Sequence, residues 1–341
     1  MQFPILPQQA SSFAVEVDAI YFLLWLLTIF FSFGVMAAIV FFAYRYRRGS
    51  AADRSRPVHS DLRIELIWSV VPLLLGLGIF AWSASLYARQ RIPPKDAMEV
   101  YVIGKRWMWQ VQHGNGVREN AELHVPVGRN VVLTMISQDV IHSFFVPAFR
   151  VKHDVLPNSY TRLWFKPTRT GKYRLLCTQY CGTQHSQMDG WVYVMEPNEF
   201  ERWLANEGEK VGKSQPSLAE AGKAVFDRMA CGSCHAPPGQ ADDKPAQRGG
   251  SLYGLYGSLV KLKDGRTVKA DEDYLRESIL RPNAKIAAGY WPIMPSYQDQ
   301  LSEEQVLQLV AYIKSLGKGE ADSPPRNPRT ASAASAEGGS Q

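Results

Sequence analysis

Hydrophobic and polar positions change rhythm several times along this chain. Residues 19–44 and 66–88 carry no charged side chain and are built mostly from Leu, Ile, Val, Phe, Ala and Trp. Each run exceeds the roughly 20 apolar residues that cross a bilayer's hydrocarbon core. Two transmembrane helices are therefore expected, over about 19–44 and 65–88, within an N-terminal segment spanning 1–90. Residues 1–17 hold no Lys or Arg, unlike the basic start of a cleaved signal peptide. Over 91–204 the period shortens to two. Asn130-Val131-Val132-Leu133-Thr134-Met135-Ile136 and Tyr160-Thr161-Arg162-Leu163-Trp164-Phe165 read as half-buried strands. Breaks at Pro126, Gly128, Pro147, Pro157, Pro167 and Gly171 recur at turn-like intervals, a spacing that suits a small antiparallel sandwich or barrel. Residues 205–217 read as a polar linker, and 218–317 as a helical unit. Its last helix is announced by a capping box from Ser302 to Gln305. Val306, Leu309, Val310, Ile313 and Leu316 supply an apolar face, and Gly317 stops the helix. The tail, 318–341, is rich in Ser, Ala, Gly and Pro and is expected to be disordered.

Charge orients this plan. The connection between the apolar runs holds Arg45, Arg47, Arg48, Arg54, Arg56 and Arg63 against Asp53 and Asp61. Positive short loops stay on the cytoplasmic side, so both termini and everything after about residue 90 are expected on the outer face. Glu65 and Pro72, at the start of the second run, are costly against lipid and are expected to meet a protein partner. The formal net charge of +6 owes much to the arginine loop and does not indicate nucleic-acid binding. At 341 residues, the chain has room for about two domains plus these segments.

The four cysteines fall in two pairs. Cys231-Gly232-Ser233-Cys234-His235 is a C-x-x-C-H motif, the signature of covalent c-type haem attachment. Both thiols would bind the porphyrin, and His235 the iron. Beyond His235 the chain has no further histidine and a single methionine, Met294, whose thioether suits the second axial position. A helix, C-x-x-C-H, a methionine loop and a C-terminal helix together resemble a class I cytochrome c, an all-α domain. The second pair lies in Cys177-Thr178-Gln179-Tyr180-Cys181-Gly182-Thr183-Gln184-His185-Ser186-Gln187-Met188. A local disulfide or a zinc site would use the thiols, but a disulfide leaves His185 and Met188 idle and zinc seldom takes methionine. Copper accepts thiolate, imidazole and thioether together, and C-x₃-C-x₃-H-x₂-M lets two thiolates bridge two copper ions.

Upstream stands Asp139-Val140-Ile141-His142-Ser143. With the cysteine loop and the aromatic stretch Trp107-Met108-Trp109, it resembles subunit II of haem-copper cytochrome c oxidases, from the first apolar run to about residue 200. The resemblance implies a two-helix hairpin carrying an all-β, cupredoxin-like Greek-key barrel. It implies a dinuclear CuA centre held by His142, Cys177, Cys181, His185, Met188 and the main-chain carbonyl of Gln179, with Trp107 at the electron-input position. Many relatives have glutamate at position 179 and bind magnesium there at the boundary with the catalytic subunit. An amide is a weaker ligand for that hard cation, which puts the magnesium site in question. Together with the haem unit, the pattern resembles subunit II of a caa-type oxidase in the bacterial plasma membrane. Electrons would pass from a cytochrome c or other donor through haem c and CuA to haem a of subunit I, where oxygen is reduced and protons are moved. No oxygen chemistry, and no catalytic residue for it, would belong to this chain. Its partners would be subunit I, other oxidase subunits, the donor and membrane lipid. The nearest alternative is the electron-input subunit of a CuA-containing nitric-oxide reductase; a copper carrier is a different class, in which a covalent haem has no use. Quinol oxidase subunits lack the copper ligands and are excluded. His59, His113, His124 and His153 have no metal-like companions in sequence and read as surface or packing residues.

Overall fold

A computed structural model describes residues 6–53, 55, 61–210, 216–235 and 249–317. They fall into two compact units, 1–215 and 216–341. In the first, two long helices precede a β-domain. Helix α1 (Ala14–Arg45) and helix α2 (Leu62–Arg91) are both long and apolar enough to cross a membrane. Their apolar side chains, including Phe30, Phe33, Ile39, Leu73 and Phe80, are exposed around most of the helix, as expected for elements whose solvent is lipid or another membrane protein. Asp61 caps α2 by accepting from the Arg63 and Ile64 N–H groups. Arg63 and Asp61 aside, the arginine loop lies partly outside the described residues, as does His59.

The β-domain consists of two five-stranded sheets around one core. Strands β1 (Met98–Lys105), β2 (Met108–His113), β3 (Arg118–Asn120), β5 (Val131–Ser137) and β8 (Thr161–Phe165) form one, in the order β3-β2-β1-β5-β8. Strands β4 (Glu122–Pro126), β6 (His142–Val146), β7 (Val151–Val155), β9 (Gly171–Cys177) and β10 (Asp189–Met195) form the other, in the order β4-β10-β9-β6-β7. The turn spacing suggested purely antiparallel sheets. Both are mixed instead: β1 runs parallel to β5, and β4 to β10. The reason is topological, since a parallel neighbour needs a crossover and the chain crosses to the other sheet before β5 returns beside β1. Period-two patterning cannot register such a crossover. Val100, Val102, Trp109, Leu133, Met135 and Phe144 are fully buried between the sheets.

The helices do more than anchor this domain. Ala10, Phe13 and Leu86 belong to its core. Ser12 N–H donates to the Lys166 carbonyl and Thr168 N–H to that of Ala10, and the Trp164 indole donates to the Arg89 carbonyl at 2.9 Å. Buried Asp18 and half-buried Arg150 form an ion pair at 2.7 Å. Helix α3 (Pro197–Lys210) follows β10, buries Phe200 and continues through residues 205–210 of the segment expected as a linker. Residues 211–215, the rest of that segment's approach to the second unit, lie outside the described residues, as does the tail from 318.

The second unit is helical, with α4 (Leu218–Arg228), α5 (Glu272–Leu280) and α6 (Glu303–Ser315). The expected Ser302–Gln305 capping box is present. Gly222 lets α4 cross α6, because a Cβ there would lie 1.9 Å from the Gln308 carbonyl oxygen. One element went unread in the sequence: a small hairpin, β11 (Leu259–Lys261) and β12 (Thr267–Lys269), closed through Asp264-Gly265 with Gly265 at φ +90°.

Candidate metal centre

The rim of the β-domain gathers the residues that sequence placed far apart. His142 opens β6 and Cys177 closes β9; the two strands pair directly, with Phe144 opposite Cys177. The intervening loop is pinned at both ends. Cys177 N–H donates to the Met188 carbonyl at 3.1 Å, and Thr178 N–H to that of Ser143 at 3.1 Å. His142, Cys177 and Cys181 are buried with ligand atoms within 4.8 Å of one another. The two sulfurs stand 3.9 Å apart and are not bonded. Cys181 Sγ lies 3.4 Å from His185 Nδ1 and 3.7 Å from Met188 Sδ. The Gln179 carbonyl turns in to 3.3 Å from Cys177 Sγ, while its side chain is exposed.

The His142 ring tests what this cradle fits. Its Nε2 is hydrogen-bonded to Asp139 Oδ1 at 2.8 Å. Its Nδ1 is buried and has no hydrogen-bond partner. An orphaned buried nitrogen costs stability unless something fills its lone pair, and Asp139 holds the proton on the far side, the arrangement that presents a neutral imidazole to a metal. Gly104 permits this placement, since a Cβ there would approach His142 Cδ2 to 3.1 Å. Two thiols, two imidazoles, a thioether and a carbonyl form a donor set suited to copper.

The thiols are unequal. Burial pushes the Cys177 thiol up, but the nearby His142 ring, the Ser143 and Gln179 main chain that the thiol itself meets, and Cys181 bring it down to about 7. Burial and the neighbouring Cys177 charge push Cys181 up to about 11. One thiolate is thus at hand near neutral pH, and the second forms as a cation displaces its proton. For Asp139, burial works upward, but the Arg106 N–H, His142 and the Val140 N–H hold the carboxyl below its ordinary value.

Trp107 is half-buried over Gly182, where a Cβ would meet its ring at 3.3 Å, so the expected electron-input residue packs directly on the Cys177–Met188 loop. Asp139 was the residue sequence reasoning missed. It stood in the quoted Asp139–His142 segment without a role, and its spacing of three from the histidine was the available signal.

In the second unit, Cys231–Ser233 form a 3₁₀ turn behind α4, and His235 N–H closes it on the Cys231 carbonyl at 3.0 Å. His235 Nδ1 faces the Gly250 carbonyl at 2.8 Å, which leaves Nε2 for an iron. Cys231, Cys234, His235 and Met294 all line one cavity of about 570 Å³, walled by Phe226, Ile279, Leu309 and Ile313 among others. That volume, apolar wall and attachment pair fit a covalently held macrocycle.

His113 and His124, expected to be without companions, are joined by one. Buried Glu119 accepts from His113 Nε2 at 2.7 Å and contacts His124 Nδ1. Glu119, Glu122 and His124 also form a metal-compatible group. Glu119 thus gives both histidines a companion across β2, β3 and β4, and they pack, with His124 stacked between Tyr193 and Trp203.

Comparison with known proteins places these features together. A family described as "Cytochrome C oxidase subunit II, periplasmic domain" matches residues 117–194, and "Cytochrome c" matches 219–317. Cytochrome c oxidase subunit 2 of Alkalihalophilus pseudofirmus is 28% identical over 291 residues, covering 83% of this chain and 82% of its own length. Heme-copper oxidase subunit 2 of Aeropyrum pernix is 31% identical over 211 residues, covering 54% of this chain and 89% of its own. Among solved structures, the periplasmic domain of subunit II of cytochrome oxidase from Bradyrhizobium japonicum matches at 28% identity and a TM-score of 0.34, over 35% of this chain and 99% of that one.

Proposed function

This chain belongs to the cytochrome c oxidase subunit II family, and we propose that it serves as the electron-accepting arm of a terminal oxidase through two cofactor sites of its own. As a family member it is an electron-relay subunit of an oxidoreductase complex, associated with a membrane. A cytochrome c or another electron donor delivers electrons to the C-terminal unit. They reach the β-domain and then a catalytic subunit, which reduces oxygen to water and moves protons. Both termini and both cofactor units face the outside in this reading, which the positive charge of the arginine loop supports.

The observation that supports this best is the orphaned His142 Nδ1 beside two unbonded buried thiols. His142, Cys177, Cys181, His185, Met188 and the Gln179 carbonyl would hold two coppers. Cys231 and Cys234 would carry the haem, with His235 and Met294 on its iron. When bound, these groups supply reversible one-electron chemistry. The remaining work is done by the chain's residues. The β6–β9 pairing and the Met188 carbonyl fix the loop, so its ligands need little rearrangement. Asp139 keeps the proton on His142 Nε2. Phe144 and Trp109, fully buried and packed edge-on at 5.2 Å, keep water from the inner side of the cradle. His235 is oriented by the Gly250 carbonyl.

The test is native purification of the membrane complex with metal and haem analysis. Two coppers and one covalent haem per chain, with a seven-line copper pattern in paramagnetic resonance, are expected. One copper per chain with a four-line pattern would contradict the dinuclear site.

A further inference from the structure

Resting on the reading that a haem on Cys231 and Cys234 accepts electrons from outside, we propose that the outer face of the β11–β12 hairpin, with Trp291 at the cavity lip, docks an acidic electron-donor protein. The hairpin register sets Leu259 opposite Lys269 and Lys261 opposite Thr267. These four side chains share one face and all are exposed, whereas Val260 and Val268 on the other face are half-buried. Val260 itself lines the haem cavity. One strand thus contributes an inner side chain to the cofactor's wall and outer lysines to the surface.

The hairpin is fastened to the cavity's lip by main-chain bonds. Lys263 N–H donates to the Ile286 carbonyl and Ala288 N–H to that of Lys261, each at 2.8 Å. Lys263 Nζ lies 5.9 Å from the Trp291 ring centre. Trp291 is 78% exposed and Ile293 54%, so a large apolar spot opens at the lip of the cavity that Cys231, Cys234 and His235 line.

Among the described residues, the outward positions of the hairpin carry lysines and no carboxylate, and Asp264 at its turn is paired with Arg266. Among the described residues, Lys261, Lys263 and Lys269 take part in no ion pair, whereas Arg266 is paired with Asp264 and Lys285 with Glu277. Residues 281–298, which frame the opening, contain no Asp or Glu. An aromatic centre with a charged rim is the anatomy of a protein-binding surface. Three uncompensated lysines select a partner of negative charge, and steering by such a field raises encounter rates by about 10–10³-fold, falling with salt.

The experiment uses the purified, haem- and copper-loaded full chain in its complex, with two reduced c-type cytochromes of similar potential as probes, one acidic and one basic. Stopped-flow reduction of the bound haem is followed from low to high salt. The acidic probe should react faster at low salt and lose that advantage as salt rises. Combined replacement Lys261→Glu, Lys263→Glu and Lys269→Glu should slow the acidic probe about tenfold or more and reverse the order of the two probes. Should that variant load haem poorly, Trp291→Ala and the Lys→Gln triple are read in its place, with slower reduction and a flatter salt dependence expected. A variant that reacts with the acidic probe at the unchanged rate and salt dependence overturns the proposal, as does a wild type that prefers the basic probe. Slowed transfer from haem to copper with external reduction unchanged also overturns it, because the lysines would then serve the chain's own β-domain. Failure of the relay reading looks different: the haem would pass no electrons to the copper site in the wild type.

Discussion

Among the residues proposed to hold copper, Asp139 is hydrogen-bonded to His142 alone, and through Nε2 it determines which nitrogen of that ring is free. Replacing it with Asn keeps the shape but removes the charge that favours a proton on Nε2. Asp139→Asn is expected to lower copper affinity by about 10–100-fold while preserving the fold, measured by competition with a copper chelator. Cys181→Ser should instead abolish the paired-copper signal, because Cys181 Sγ lies within 3.9 Å of Cys177, His185 and Met188 together. Met294→Leu should lower the haem midpoint potential without detaching the haem, checked by redox titration; an unaltered potential would mean that another group caps the iron. At this scale the residues that the fold gathers at the rim of the β-domain were legible, because soft donors at tight spacing have few other uses. Asp139 and the Gly250 carbonyl were not legible as partners, since their roles depend on which ring nitrogen the fold leaves bare.

Elements lock these residues in place, and the lock includes parts that read only as membrane anchor. Buried Asp18, one turn into α1, is held by Arg150 from the β-domain and by the Gln9 amide at 2.8 Å. Arg150→Ala strands that carboxylate and is expected to cost about 3–5 kcal/mol, measured as the shift in detergent unfolding. The paired change Asp18→Leu with Arg150→Met should recover most of it. For the same reason a fragment beginning at residue 91 should be markedly less stable than the full chain, having lost Ala10, Phe13 and Leu86 from its core. Glu119 ties β2, β3 and β4 beneath α3. Burial raises its carboxyl, but hydrogen bonds and charge from His113 and His124 prevail and bring it from 4.5 to about 2. Because the folded value is depressed, the stabilisation is full above about 4.5 and disappears as pH falls toward 2. Its ceiling is roughly 3 kcal/mol. Glu119→Gln should therefore destabilise the protein at pH 7 and converge with wild type near pH 2, in paired denaturant titrations. The strands themselves were legible from alternation, and the helices from length and caps. The two parallel pairings, the Glu119 junction and the β11–β12 hairpin were not, because each depends on contacts between segments distant in sequence or on a run of only three residues.

Over the whole molecule, the two cofactor units are joined by a short connection, with α3 extending to Lys210 and the next unit beginning near Pro216. A tethered partner is present at an effective concentration of millimolar order, so its transfer step should not rely on long-range steering. Two units were legible from composition, and their joining as one relay follows from the presence of a haem motif and a copper motif in one chain. The most direct measurement is flash reduction of the haem in the intact, metal-loaded complex, with haem oxidation and copper reduction followed together. The two changes should coincide as one first-order step, independent of protein concentration and nearly unchanged between low and high salt. A haem-to-copper step that slows many-fold with salt, or scales with protein concentration, would contradict a relay built within a single chain.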